Sequence, residues 1–176
     1  MNPKKLIILV DQSASMAESY VYAGILGSIM ATIDSLQTHL IVFDTEVVDL
    51  TKYLSDPVEL LFKGQLGGGT NIYKALRYAL NLVFSEDKET YVVLISDLFE
   101  GGPLSLFLDA ARELISHQVQ LISLLALDDL GVPAYDKVVA KSLAEMGIHC
   151  FGCTPDLFPE VMAAALNGDD LGRFTR

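Results

Sequence analysis

The chain has 176 residues, which is the size of about one domain. Apolar residues make up 51% of it and charged residues 20%, a composition that excludes an intrinsically disordered chain. Lys and Arg number 12 against 23 Asp and Glu, and the formal net charge is −11, so we expect no binding to nucleic acid phosphates. The two cysteines are too few for a disulfide framework.

The apolar stretches are too short to form a membrane span. The longest uncharged run lies between Glu18 and Asp34 and has 15 residues, whereas a spanning helix needs about 20. Only five apolar residues lie between Lys5 and Asp11, whereas the apolar stretch of a secretory signal has about 7–15. We therefore expect a soluble, cytoplasmic protein that does not enter the membrane.

Strands and helices alternate along the chain. The predicted strands are 4–10, 39–43, 46–50, 90–96, 119–126 and 147–151. The predicted helices are about 18–36, 56–62, 72–84, 103–117, 134–146 and 155–166. Most of the strands are continuous apolar runs, which is typical of a parallel sheet covered on both faces. The pattern predicts an α/β fold with three layers, a doubly wound (Rossmann-like) sheet between two helix layers.

Two local signals refine this fold. The connection at Asp44 and Thr45 is too short for a crossover, so 46–50 is predicted to be an antiparallel edge strand in a mostly parallel sheet. Three consecutive glycines end at Gly69, and Thr70 or Asn71 follows in the N-cap position of an amphipathic helix. We expect one domain over 1–167 and a flexible polar tail over 168–176.

Five oxygen-bearing side chains stand where such sheets bind ligands. Ligands bind beyond the carboxyl ends of the strands, where the strand order reverses. Asp11 ends the first strand and opens the motif Asp-x-Ser-x-Ser, Thr70 follows the glycine loop, and Asp97 ends the fourth strand. If the first and fourth strands are neighbours, these loops converge. The five residues are Asp11, Ser13, Ser15, Thr70 and Asp97.

This set of ligands is chemically hard. Hydroxyl and carboxylate oxygens suit Mg²⁺, Mn²⁺ or Ca²⁺ and do not suit Zn²⁺ or copper. Five ligands leave one octahedral position open, and two carboxylates at best balance the charge of the ion. The set therefore predicts a metal-dependent docking site for an acidic group of a protein partner.

The same residues resemble the metal-ion-dependent adhesion site of von Willebrand factor A (VWA) domains. The resemblance covers about residues 4–166 and includes Thr70 after a glycine-rich loop and Asp97 in Ile-Ser-Asp. It implies that the two serines and the threonine contact the metal, that the aspartates act directly or through water, and that an Asp or Glu of the partner completes the coordination. Ala14 stands where glycine is commoner, and Glu100 lies close enough to tune the site or compete for the metal.

The resemblance also suggests a class of partner. Intracellular bacterial VWA proteins that look like this chain commonly work beside AAA+ ATPases of the MoxR class, in complex assembly or metal insertion. An ATPase of that class is therefore the partner that the resemblance implies. In several of those proteins the VWA domain is only part of a longer chain.

Three alternatives remain open at the level of the sequence. The serines and Thr70 also suit helix caps, and both aspartates suit turns at strand ends. A second alternative is a domain that keeps the fold but binds no metal. The third is a magnesium-dependent phosphoryl-transfer enzyme or phosphatase on a related sheet, although Ser13 occupies the place of that class's second aspartate. The constellation contains no His to activate a serine, so we expect a non-enzymatic protein.

Two other features of the sequence allow a functional role. Cys150 and Cys153 form a C-x-x-C pair, which allows a redox or zinc role. A zinc site needs further ligands, so the favoured interpretation is two partly buried thiols at a strand end. Tyr20 and Tyr22 follow the first loop. They are predicted either to border the metal site or to pack against neighbouring helices.

Overall fold

A six-stranded sheet forms the centre of the molecule. The computed structural model describes residues 4–13, 16–64, 68–83, 89–126 and 134–171. The strands are β1 Lys4–Asp11, β2 Leu36–Phe43, β3 Val47–Asp49, β4 Glu89–Ser96, β5 Gln120–Ala126 and β6 His149–Cys153. Their order is β3-β2-β1-β4-β5-β6, and all pairs are parallel except β2 with β3. The predicted doubly wound sheet with one antiparallel edge strand is confirmed.

Among the described residues, six helices cover the two faces of the sheet. They are α1 Ala17–Met30, α2 Pro57–Lys63, α3 Ile72–Val83, α4 Leu104–Ser116, α5 Lys137–Glu145 and α6 Phe158–Leu166. Short 3₁₀ turns at Thr51–Tyr53 and Pro155–Leu157 complete the described elements. None of the helices in the described part of the chain combines the length and apolar character that a bilayer crossing requires.

The apolar run of β1 supplies both cores. Leu6 and Ile8 are buried in the core shared with α1 and α6, while Ile7 and Leu9 are buried in the core shared with α3, α4 and α5. Because successive side chains of a strand point to opposite faces, a strand between two helix layers needs apolar residues at every position. This central strand carries the first candidate ligand at its carboxyl end.

The end of the first helix differs from the prediction. The structure ends α1 at Met30 and starts β2 at Leu36, whereas the sequence suggested one helix up to that leucine. Pairing explains the difference, because Lys4 lies opposite Leu36 and the two strands then match over eight residues. The turn between them is closed by the Thr32 hydroxyl, which donates to the carbonyl of Ile29.

Two boundaries near the carboxyl end are also set by the backbone. Gly147 has a φ of +85°, which ends α5 in the left-handed conformation that glycine adopts without strain. The last strand therefore starts at His149 rather than at 147 as predicted. Leu171 is buried against the core. The flexible tail stays a prediction for 172–176, which lie outside the described residues.

Candidate metal centre

Asp11 lies at the reversal point of the strand order. Its strand β1 is flanked by β2 and β4, and the chain winds outward from it in both directions. One carboxylate oxygen accepts a hydrogen bond from the Ser96 hydroxyl at 2.7 Å, and the other accepts the backbone N–H of Ser13 at 2.8 Å. The carboxylate is fully buried. It therefore joins the ends of two neighbouring strands and orients the start of the Asp-x-Ser-x-Ser loop.

The environment of Asp11 disfavours its negative charge. Burial raises the pKa of this carboxyl group, and the nearby charge of Asp97 raises it further. Hydrogen bonds from Ser96 and from the backbone and hydroxyl of Ser13 act in the opposite direction but do not cancel the effect of burial. A site in which two carboxylates oppose each other's charge favours a cation between or beside them.

Thr70 is held against the loop that follows β4. Its carbonyl oxygen accepts the backbone N–H of Gly101 at 2.9 Å. The next residue, Asn71, accepts the N–H of Lys74 through its side chain at 3.0 Å and so caps α3. Thr70 is thus not the N-cap, and its buried side chain is available for another role. The structure brings it to the same edge of the sheet as Asp11 and Asp97.

Asp97 begins an unusual stretch of backbone. One of its carboxylate oxygens accepts the N–H of Phe99 at 3.2 Å. Leu98 is buried and has a φ of +65°, a conformation that a leucine rarely adopts. The carbonyl of Asp97 also accepts the N–H of Asp136, which precedes α5, at 2.9 Å. Backbone strain of this kind is common at functional sites, where a side chain must be held in one orientation.

Glu100 holds the start of α3. Its carboxylate accepts the N–H groups of Ile72 and Tyr73, each at 3.0 Å, and that of Gly102 at 3.3 Å. Free N–H groups at a helix start carry partial positive charge and favour a carboxylate. The structure therefore gives Glu100 a role that the sequence did not reveal. The sequence indicated only its closeness to Asp97.

Asp44 connects the β2 end to the glycine loop. Its carbonyl oxygen accepts the N–H of Asn71 at 2.7 Å, and its carboxylate accepts the N–H of Gly68 at 3.2 Å. A Cβ atom on Gly68 would lie 2.9 Å from that carboxylate, so a larger residue there would displace the Asp44 side chain. Sequence reasoning missed this residue because it was assigned only to the hairpin turn.

The structure thus gathers four of the five predicted ligands at one edge of the sheet. Ser15 lies outside the described residues, as does Ala14. Within the described ranges, no three His, Cys, Asp or Glu side chains gather as metal ligands. A cation at this edge would accordingly depend on the hydroxyls of Ser13 and Thr70 beside the two carboxylates. That donor set fits a hard divalent ion.

Comparisons with known proteins identify the family. The sequence model of VWA-domain-containing CoxE-like proteins matches residues 1–162. The chain belongs to this family. VWA domains are typically interaction modules, and metal-dependent protein binding is general among them.

The VWA family assignment agrees with individual relatives. The chain is 38% identical over 151 residues to the uncharacterized protein YehP of Escherichia coli K12. The matched region covers 86% of this chain and 40% of YehP. The chain therefore spans less than half of the length of that curated relative. The vWF domain of the type V pili tip protein Mfa5 of Porphyromonas gingivalis superposes with a TM-score of 0.70 at 12% identity, over 99% of this chain and 97% of that one.

A further structural match is to a manganese-loaded protein. The manganese-loaded TRAP protein of Plasmodium vivax superposes with a TM-score of 0.62 at 14% identity, over 90% of this chain and 71% of that chain. At these identities both structural matches show the VWA fold alone. The manganese belongs to the TRAP structure.

The remaining candidates lie away from this edge or in the core. Tyr20 is buried, and its hydroxyl donates to the carbonyl of Leu60, so it packs between helices; Tyr22 is exposed. Cys150 is a free thiol. Burial raises the pKa of the Cys150 thiol to about 11, which opposes thiolate chemistry at neutral pH. The side chain of Cys153 lies outside the described part of the chain.

Proposed function

We propose that this VWA domain binds a protein partner through a divalent cation at the Asp11 edge of the sheet. One observation carries the proposal. The buried carboxylates of Asp11 and Asp97 lie close together at the carboxyl ends of the neighbouring strands β1 and β4, and the hydroxyl of Ser13 lies beside Asp11. Ser13, Ser15, Thr70 and Asp97 would hold Mg²⁺, Mn²⁺ or Ca²⁺. Asp11 would act through Ser13 or a bound water, because its two oxygens already accept hydrogen bonds from Ser96 and from the backbone and hydroxyl of Ser13.

The bound cation would supply a positive charge beside the two carboxylates of Asp11 and Asp97. A carboxylate of the partner would take the open position of its coordination shell. The overall charge of −11 repels acidic partners in general. Binding of an Asp or Glu would therefore depend on the metal, and its removal would switch the interaction off.

Metal binding is tested first by thermal unfolding of chelated protein into which Mg²⁺, Mn²⁺ or Ca²⁺ is titrated. A cation that binds only the folded chain at 100 times its Kd adds about 2.7 kcal/mol of stability, a shift of about 5–10 °C in Tm at this chain length. Asp97→Asn keeps the oxygen that accepts the Phe99 N–H but removes a charge, so we expect it to abolish the shift. Asp109→Asn removes an exposed carboxylate paired with Arg112 and is the matched control.

Three outcomes of that titration are decisive. A shift in the wild type and in Asp109→Asn, but not in Asp97→Asn, supports the site. Equal shifts in all three proteins place the cation elsewhere and contradict it. No shift in any protein, even with millimolar ion, argues that the domain keeps the VWA fold without a metal.

For the partner, we propose a cytoplasmic AAA+ ATPase of the MoxR class that presents an Asp or Glu to the cation. The resemblance to intracellular bacterial VWA proteins supports this class. The test is capture of such an ATPase from the same organism on immobilised domain, with Mg²⁺ or with chelator. We expect capture with Mg²⁺ only, and its loss in Asp97→Asn. Capture that is unchanged by chelator would contradict a metal-bridged contact.

A further inference from the structure

Phe99 is an exposed aromatic residue beside the proposed cation. Its side chain is 53% exposed, although it stands only two residues after Asp97. The backbone N–H of Phe99 donates to the Asp97 carboxylate at 3.2 Å. A partner group that reaches a cation held by Asp97 therefore comes close to Phe99 as well.

The backbone at Leu98 turns two neighbouring apolar side chains in opposite directions. Leu98 has a φ of +65° and is fully buried in the core shared with α3, α4 and α5. Phe99, the next residue, is left exposed to solvent. A left-handed leucine persists only where the surrounding structure enforces it, and such residues are concentrated at ligand sites. The exposure of Phe99 is therefore built into the fold of this loop.

Hydrogen bonds on both sides hold Phe99 in this position. Before it, the carbonyl of Asp97 accepts the N–H of Asp136 at 2.9 Å, which ties the loop to the start of α5. After it, the Glu100 carboxylate accepts two N–H groups from the first turn of α3, each at 3.0 Å. The backbone that carries the ring is thus ordered before a partner binds, and preorganisation of this kind lowers the entropy that binding costs.

The charges around Phe99 limit what a partner can place beside it. Four carboxylates belong to this edge and its two anchoring contacts: Asp11, Asp97, Glu100 and Asp136. A single divalent cation balances two of these charges, and the helix starts offset the other two only in part. One acid of the partner is therefore attracted to the cation, whereas a second acid next to it would meet uncompensated negative charge. An apolar neighbour avoids that repulsion and can cover the ring.

We propose that Phe99 packs against an apolar side chain of the partner, next to the single Asp or Glu that reaches the cation. This inference rests on the proposed function and deepens it, because the recognised element becomes an isolated acid beside an apolar residue rather than an acidic run. Covering the exposed half of a phenylalanine, ~100 Å², changes an affinity by about tenfold or more. Phe99 would thus select among the acidic segments that the cation alone accepts.

Selection from a library of random heptapeptides on phage tests which element is recognised. The library is bound to the immobilised 176-residue chain in Mg²⁺ and eluted with chelator, so that only metal-dependent peptides are recovered. We expect the recovered peptides to carry one Asp or Glu with an apolar residue within two positions of it. Acidic residues should be absent from the flanking positions.

A double-mutant cycle then assigns the apolar contact to Phe99. A recovered peptide, with its apolar residue intact or replaced by Ser, is titrated in excess Mg²⁺ into the wild type and into Phe99→Ala. Each change alone should weaken binding about tenfold, and the second should add little to the first, because both remove the same contact. Ile29→Ala is the matched control and should bind like the wild type. Ile29 is also 53% exposed but ends α1, near the amino end of β2 and away from the Asp11 edge.

Failure of this inference is distinguishable from failure of the proposed function. If no peptide eluted by chelator carries an Asp or Glu, metal-dependent docking of an acid is contradicted, and the role of Phe99 falls with it. Acidic peptides that bind Phe99→Ala as tightly as the wild type overturn the role of Phe99 alone. Recovered peptides whose acid has only polar or acidic neighbours do the same, as do losses that add up fully in the cycle.

Discussion

The backbone N–H of Gly101 lies 2.9 Å from the carbonyl oxygen of Thr70 and donates a hydrogen bond to it. This bond crosses from the loop after β4 to the residue before the α3 cap. It joins two predicted ligands, because Asp97 stands four residues before Gly101 in the same loop. The positions of Thr70 and Asp97 are therefore coupled by this backbone contact, in addition to the contacts of the Glu100 carboxylate with the start of α3.

Substitution of Gly101 tests this coupling. A Cβ atom there would lie 2.7 Å from the Thr70 carbonyl, so Gly101→Ala must push the two loops apart. We expect a loss of about 1–3 kcal/mol in the free energy of unfolding and weaker binding of the cation. At Gly102 the nearest atom to a Cβ is 3.5 Å away, in Asn71, so Gly102→Ala is the control.

Neither glycine has a positive φ, so the comparison isolates the steric contact. Gly102→Ala should be neutral, or more stable by up to about 1 kcal/mol because it restricts the unfolded chain. Urea unfolding and Mg²⁺ titration measure both effects. Equal stability of the two variants would show that the Thr70 loop moves aside without cost.

Glu100 is expected to position Thr70 rather than to bind the metal. Its carboxylate accepts N–H groups of Ile72, Tyr73 and Gly102. Glu100→Ala leaves these donors without their acceptor, so we expect a loss of about 1–3 kcal/mol in stability. The Kd for Mg²⁺ should rise, since the loop that carries Thr70 loses its anchor.

The matched control for this change is Glu113→Ala. Glu113 also links α4 to α3, through an ion pair with Arg77 at 3.0 Å, but both side chains are exposed. An exposed pair contributes at most about 1 kcal/mol, and the Mg²⁺ affinity should be unchanged. If removing Glu100 strengthened Mg²⁺ binding, that residue would be a competitor for the ion instead. Calorimetric titration measures the affinities.

The sequence predicted the adjacency of Asp11, Thr70 and Asp97 because parallel strands bring their carboxyl ends to one edge. It also predicted the antiparallel β3, since a two-residue connection admits only a hairpin. The roles of Glu100 and Asp44 were not predictable, because each depends on N–H groups of an element remote in the chain. The end of α1 was missed for the same reason, as pairing of Leu36 with Lys4 outweighs local helix propensity.

Cys150 is predicted to react slowly with thiol reagents in the folded chain. Burial raises its pKa to about 11, so only about one molecule in a thousand is a thiolate at pH 8. In a Cys153→Ser background, the aromatic disulfide reagent DTNB should modify Cys150 far more slowly than in the same protein unfolded in urea. Equal rates in the two states would show that the folded chain does not protect this thiol.

Tyr78 and Asp49 link α3 to the edge strand β3. The phenol donates a hydrogen bond to the Asp49 carboxylate. Burial and this bond raise the pKa of Tyr78 to about 12. For Asp49, burial acts to raise the pKa, but hydrogen bonds from Thr51 and Tyr78 outweigh it and lower the pKa below 3.8. The fold therefore favours a neutral phenol beside a charged carboxylate.

The two pKa shifts limit the stability of the fold at opposite ends of the pH range, Tyr78 at alkaline pH and Asp49 at acidic pH. Because the pKa of Tyr78 is raised, the stability that this phenol contributes is complete below pH 10 and is lost as pH rises towards 12. Because the pKa of Asp49 is lowered, its contribution is present above pH 3.8 and is lost as pH falls below that value.

Tyr78→Phe should lower the free energy of unfolding by about 0.5–1.5 kcal/mol at pH 7, and this difference from the wild type should shrink between pH 10 and 12. Tyr73→Phe, five residues earlier in α3, is the control. Urea unfolding at each pH measures the free energy of unfolding of each protein. A difference between Tyr78→Phe and the wild type that stays constant from pH 7 to 12 would show that the phenol has the same pKa in the folded and the unfolded chain.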